Sequence, residues 1–126
     1  MEATGRTIDV LLIEDDPGAA YLVNDMLDEF GEGRIRLEQV RSRNDGEERL
    51  RAARFDVVLL DLGLPESTGL ATLRHMRERF PEQAFIVLSG LDDADTARDA
   101  ICLGARGYLV KGAFREDVLM RAIMVI

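Results

Sequence analysis

The sequence predicts an α/β fold, a doubly wound parallel sheet with helices on both faces, and three observations carry that prediction. Short apolar runs alternate with segments of helical periodicity along the whole chain, giving five strand-helix units. Several runs are continuously apolar rather than alternating, as strands buried on both faces are. Finally, 126 residues with 47% hydrophobic content can build one continuous core, and no linker or repeat divides them. A strand followed by a helix, repeated, calls for a parallel sheet because right-handed crossovers place each helix between successive strands.

The first strand is Ile8 to Ile13, which breaks into the acids Glu14, Asp15 and Asp16. Pro17 suits a first helical turn, Ala19, Val23, Met26, Leu27 and Phe30 follow at helical spacing, and Gly31 and Gly33 stop the helix. The next elements are a weaker strand at Ile35 to Val40, a helix at Asp45 to Ala53, and a strand at Val57 to Asp61. A helix from about Ser67 to Phe80 ends at Pro81, and Phe85 to Leu88 is the fourth strand. Asp92 to Leu103 reads as a helix closed by Gly104, Gly107 to Val110 as the fifth strand, and Arg115 to Ile126 as a final helix.

Composition narrows the function classes. A formal net charge of −8 argues against a direct hold on nucleic acid, which depends on clustered Lys and Arg releasing counterions. No apolar run approaches the roughly 20 residues that span a bilayer, and Met1 to Thr7 lacks a signal-peptide pattern, so a cytoplasmic protein without a membrane segment is expected. Cys102 has no disulfide partner and is expected to be a small buried hydrophobe; His75, among Arg74, Arg77 and Arg79, is expected to be solvated.

In open parallel sheets the functional crevice lies beyond the carboxyl ends of the strands. There the sequence places Glu14, Asp15 and Asp16 after the first strand, Asp61 at the end of the third, Ser89 and Gly90 after the fourth, and Lys111 after the fifth. Converging carboxylates repel one another unless a cation joins them, and a few oxygen ligands plus water and a phosphate suit magnesium. Zinc has no plausible ligand set, since His75 and Cys102 both lie within helices. Any one of these acids alone reads more readily as a helix cap or a solvated turn; the coincidence of all four strand ends is what points to a site.

The chain resembles the receiver domain of bacterial two-component response regulators. The resemblance rests on VLLIEDDP (Val10 to Pro17), DVVLLDLGLPESTGL (Asp56 to Leu70), IVLSG (Ile86 to Gly90) and GYLVKG (Gly107 to Gly112), in matching order and spacing. It implies a flavodoxin-like, three-layer α/β/α sandwich with strand order 2-1-3-4-5. It further implies that Asp61 accepts a phosphoryl group, that Glu14, Asp15, Asp61 and the Gly63 backbone carbonyl hold Mg2+, that Lys111 completes the site, and that Ser89 and Tyr108 form a switch pair. Asp16 is then a bystander. On the same ground the donor is a histidine kinase or a histidine phosphotransfer protein, and the output is a changed surface on the fourth helix, fifth strand and fifth helix. The domain is a signalling module that assists its own phosphorylation and dephosphorylation, not an enzyme acting on other substrates.

Two positions depart from the family pattern. Gly112 follows Lys111 where the family usually has proline, so a trans Lys111–Gly112 bond is expected. Gly63 places no side chain near the acceptor, which leaves the lifetime of a phosphorylated state open. In the last helix Val118, Leu119, Ala122, Ile123 and Ile126 form the expected core stripe, with Met120 and Met124 opposite, either tolerated at the surface or facing a second copy or following domain. Because the helical pattern runs to Ile126 without a cap, residues 1–126 are expected to be a receiver excised from a longer regulator with a C-terminal output domain. Two rivals remain: a haloacid-dehalogenase-type phosphatase, which normally needs a second Asp where Gly63 stands, and a degenerate receiver that only docks.

Overall fold

The computed structural model describes residues 7–64 and 67–125. Five parallel strands form one sheet in the order β2-β1-β3-β6-β7, where β1 is Ile8–Ile13, β2 Ile35–Val40, β3 Val57–Asp61, β6 Phe85–Ser89 and β7 Gly107–Val110. The intervening labels β4 (Gly63–Leu64) and β5 (Ser67–Thr68) belong to a small antiparallel hairpin outside the sheet. Counting sheet strands alone, the order is the expected 2-1-3-4-5.

Alternation along the buried strands sorts the core into two layers. Val10, Leu12, Val57, Leu59, Ile86 and Leu88 face α1 (Pro17–Phe30) and α5 (Glu116–Met124), meeting Ala20, Val23, Leu27, Leu119 and Ile123. Leu11, Ile13, Val58, Leu60, Phe85 and Val87 face the other way, onto Leu73 and Met76 of α3 (Leu70–Arg79) and Ala100 of α4 (Ala94–Cys102). Each buried Leu, Ile, Val or Phe side chain contributes about 1.5–3 kcal/mol, so the two layers dominate the fold's stability. The strand β2 closes one edge of the sheet, which is why IRLEQV mixes polar with apolar residues and leaves Arg36 and Gln39 exposed.

Several boundaries move for local reasons. The helix α2 (Arg43–Ala52) starts two residues before the expected Asp45, because the Ser42 hydroxyl accepts from the Asp45 backbone amide and caps the helix. Asp93 caps α4 in the same way through Thr96, leaving Asp92 outside. The helix expected from Ser67 starts at Leu70, since Ser67–Thr68 pair with Gly63–Leu64. Gly69 then turns the chain into α3 at φ 64°, ψ −153°, a conformation open essentially to glycine alone.

Three side-chain expectations are overturned. Cys102 is exposed: two residues past the buried Ala100, it lies on the opposite face of α4. In α5 Leu119 and Ile123 are buried and Ala122 packs against the core as expected, but Met120 packs there too and Val118 is exposed; Met124 is exposed. His75 is half-buried, and its Nε2 lies 2.9 Å from Oε2 of Glu47. Ile126 lies outside the described residues.

Candidate functional site

The carboxyl ends of β1, β3, β6 and β7 bring the separate sequence segments to one edge. Register fixes this: Ile13 is level with Leu60, Asp61 with Leu88, and Ser89 with Val110, so each next residue emerges at the same rim. Backbone bonds extend the pairing beyond the strands, from the Glu14 amide to Val40, from Leu62 to Leu88 and from Lys111 to Ser89. The rim encloses a cavity of about 570 Å³ whose lining includes Glu14, Asp15, Asp61, Gly63, Ser89 and Lys111.

Within it Glu14 and Asp61 are almost wholly buried, at 0% and 2% exposure. Lys111 Nζ reaches both, 2.7 Å from Glu14 Oε1 and 3.0 Å from Asp61 Oδ1. Asp61 Oδ1 also accepts from the Gly63 backbone amide at 2.9 Å. Burial pushes the Glu14 carboxyl up to about 7, hydrogen bonding with Asp61 adds to the rise, and Lys111 opposes it. Burial acts on Asp61 in the same sense, but hydrogen bonds from Glu14, Gly63 and Lys111 outweigh it and hold Asp61 below its ordinary value. Burial would also lower Lys111, yet its two carboxylate partners leave it raised. Asp61 is therefore the more readily ionised of the pair, Glu14 holds its proton up to about pH 7, and the ammonium stays charged.

One oxygen each from Glu14, Asp15 and Asp61 lies within 4.8 Å of the others. Glu14 Oε1, fully buried, has an ion pair with Lys111 but no well-angled hydrogen bond. Three hard carboxylate oxygens gathered this closely at the cavity fit a small divalent cation, for which Glu14 would give up its proton. Asp16 also borders the cavity, but its Oδ2 accepts from the Ala19 amide at 2.9 Å and caps α1.

Ser89 and Tyr108 do not touch each other through any described hydrogen bond, but both hold Leu91. The Ser89 hydroxyl oxygen accepts from the Leu91 amide at 3.0 Å, and the Tyr108 hydroxyl donates to the Leu91 carbonyl at 2.6 Å. Leu91 was missed by sequence reasoning because it contributes through its backbone, which carries no residue-type signal; Thr96, which also lines the cavity, had only its place in α4 to mark it. The Lys111–Gly112 bond is trans, as expected, and Gly112 sits at φ 77°, where proline could not.

Comparison with known proteins agrees with this geometry. Residues 10–124 match the family model of the response regulator receiver domain. The chain is 35% identical over 117 residues to the transcriptional regulatory protein CiaR of Streptococcus pneumoniae, covering 90% of this chain and 49% of that protein. It is 31% identical over 120 residues to the cell cycle transcriptional regulator CtrA of Caulobacter vibrioides, covering 93% and 49%. The chain thus spans about half the length of these curated relatives. Among solved structures, a response regulator receiver domain protein from Clostridium thermocellum superposes with a TM-score of 0.79 at 26% identity, covering 94% of this chain and 92% of that one. The beryllofluoride-activated NtrC4 receiver domain dimer superposes at 0.80 over 93% of each chain with 24% identity, a likeness of fold. From the match along nearly its whole length, the chain belongs to the response regulator receiver domain family.

Proposed function

We propose that Asp61 is the phosphoacceptor of this domain, and one observation carries the reading: Asp61 is buried yet held ionised, with Lys111 3.0 Å away at the mouth of the cavity. An Asp61 oxygen attacks the phosphorus of a phosphohistidine whose other ring nitrogen is protonated; the P–O bond forms as the P–N bond breaks, and the electron pair of that bond leaves with neutral imidazole. Lys111 meets a transferring phosphoryl oxygen as a compact positive charge, exchanging part of its contact with Glu14 for it. Bound Mg2+ would neutralise charge on the phosphoryl oxygens, held by Glu14, Asp15, Asp61 and the Gly63 carbonyl. The donor is a histidine kinase or histidine phosphotransfer protein, and the protein is cytoplasmic. It signals rather than turning over a substrate.

The switch follows from the Leu91 contacts. In this geometry the half-buried Tyr108 is tied through its hydroxyl to the Leu91 carbonyl. A phosphoryl group on Asp61 offers the Ser89 hydroxyl proton a new acceptor, the Leu91 loop moves with Ser89, and Tyr108 loses that anchor. That shifts the population of α4-β7-α5 surfaces for a partner to sense. The relatives CiaR and CtrA, about twice as long as this chain, support an output domain as partner, and the likeness to the NtrC4 receiver domain dimer supports a receiver homodimer as the other reading. Incubation with phosphoramidate and Mg2+ tests the reading: a hydroxylamine-labile label should appear, and Asp61→Asn and EDTA should each abolish it. A label that survives in Asp61→Asn refutes it.

A further inference from the structure

The charge of this chain is unevenly placed. Residues 41–79, which hold α2, β3 and α3, carry eight arginines against seven acids, whereas the remaining residues carry eight basic against seventeen acidic. Of those seven acids Asp61 belongs to the buried cavity at the carboxyl edge and Glu47 is buried on α2 at 5% exposure. What α2 and α3 present outward is therefore more basic than the count suggests, on a protein whose net charge is −8.

Glu47 organises this face. Its Oε2 lies 2.9 Å from His75 Nε2 and 3.3 Å from Arg43 Nε, and its Oε1 lies 3.2 Å from Arg51 and 3.5 Å from Arg79. One carboxylate thus faces three guanidinium groups and an imidazole from two helices. Three guanidinium groups outnumber the one carboxylate between them, and the Arg51 and Arg79 side chains remain 56% and 52% exposed. The last turns of α2 and α3 favour cations through their dipoles, which accounts for Arg51 and Arg79 being there. The dipoles do not account for four basic side chains fixed around one buried anion, an arrangement that orders the guanidinium groups before any partner arrives.

Arg79 also lines an open cavity of about 530 Å³, with Arg54 and Arg106 on its wall and the half-buried rings of Phe55 and Phe80 beside them. Asp56, Ala84 and Arg106, which directly precede β3, β6 and β7, place it at the amino edge of the sheet, opposite the Glu14–Asp61–Lys111 cavity. Asp56 and Glu82 also border this cavity, but its three arginines outnumber them, and the rings of Phe55 and Phe80 give it an apolar wall; preordered arginines beside such a wall match an acidic segment bearing a bulky apolar side chain.

We propose that the α2–α3 face, from Arg51 and Arg79 to the Phe55–Phe80 cavity, is a docking surface for an acidic protein segment with an apolar anchor residue. It is separate from the proposed phosphorylation cavity and from the α4-β7-α5 face, so the partner binds without displacing either.

The test uses this chain and a fluorescein-labelled peptide of glutamates flanking a central phenylalanine, followed by anisotropy. Binding should weaken about tenfold or more in Arg51→Ala/Arg79→Ala and when NaCl rises from about 0.05 to about 0.5 M, because screening removes exposed charge attraction. Replacing the central phenylalanine by glycine should also weaken it. Arg54→Ala, outside the Glu47 cluster, provides a second variant should the double one fail to fold, and should weaken binding about threefold or more. Acetyl phosphate labelling of Asp61 should be unchanged in every folded variant. Absence of binding, equal binding by the variants, or a single-stranded oligonucleotide binding as tightly as the peptide would overturn the proposal.

Discussion

The shared proton of Glu14 makes Mg2+ affinity depend on pH in a range where carboxylate sites are ordinarily flat. Glu14 titrates at about 7 in the metal-free protein, against an ordinary value of 4.5, chiefly because it is buried and beside Asp61. A ligating carboxylate must release that proton. With one competing proton the apparent dissociation constant scales as one plus the ratio of proton concentration to the Glu14 acid constant. Between about pH 8 and about pH 6 that factor rises about tenfold, equivalent to about 1.4 kcal/mol. Isothermal titration calorimetry at both pH values, in buffers of different ionisation enthalpy, should show tenfold weaker binding at the lower pH and, near pH 6, release of nearly one proton per ion. Glu14→Gln should bind more weakly at both pH values and lose the dependence. A dissociation constant unchanged within twofold, with no proton release, would refute the assignment of a protonated Glu14.

Further outcomes follow from the same structure. Without metal, the native state holds the Glu14 proton between 4.5 and about 7 while the unfolded state has released it, so stability falls as pH rises through that window and Mg2+ should restore it; urea unfolding at several pH values with and without Mg2+ checks the sign. Lys111→Ala leaves Asp61 and Glu14 without their cation and should cost about 2 kcal/mol in the metal-free protein by urea unfolding, while slowing acetyl phosphate labelling. Leu119→Ala, at a fully buried position between α5 and the sheet, should cost about 2–5 kcal/mol in the same assay. Gly112→Ala forces a Cβ into φ 77° and should cost about 1 kcal/mol although open space surrounds the position.

Strand order aside, the architecture was legible because β1, β3 and β6 are continuous apolar runs and each ends in a residue of distinct chemistry. Glu14, Asp61 and Ser89 could be picked out from those ends and Lys111 from the end of β7, and parallel pairing then had to bring them to one rim. The order of strands came only from the family resemblance, since periodicity says nothing about neighbours. The hairpin of Gly63–Leu64 with Ser67–Thr68 was invisible because two-residue strands have no period, and its region read as the start of α3. Cys102 and Val118 were misplaced by helix phase: a shift of one or two positions, about 100–200°, carries a side chain from core to solvent. The Glu47 cluster joins residues 28 apart in sequence, and an ordinary charged helix gives no sign of which acid will be buried. Leu91 ties Ser89 to Tyr108 through backbone atoms, which no side-chain pattern can announce.

Phosphoryl transfer to Asp61 is the step on which the signalling role rests. Intact mass after incubation with acetyl phosphate and Mg2+ measures this most directly. The wild type should gain the mass of one phosphoryl group and the Asp61→Asn variant none, whereas an equal gain in both, or none in the wild type, would contradict it.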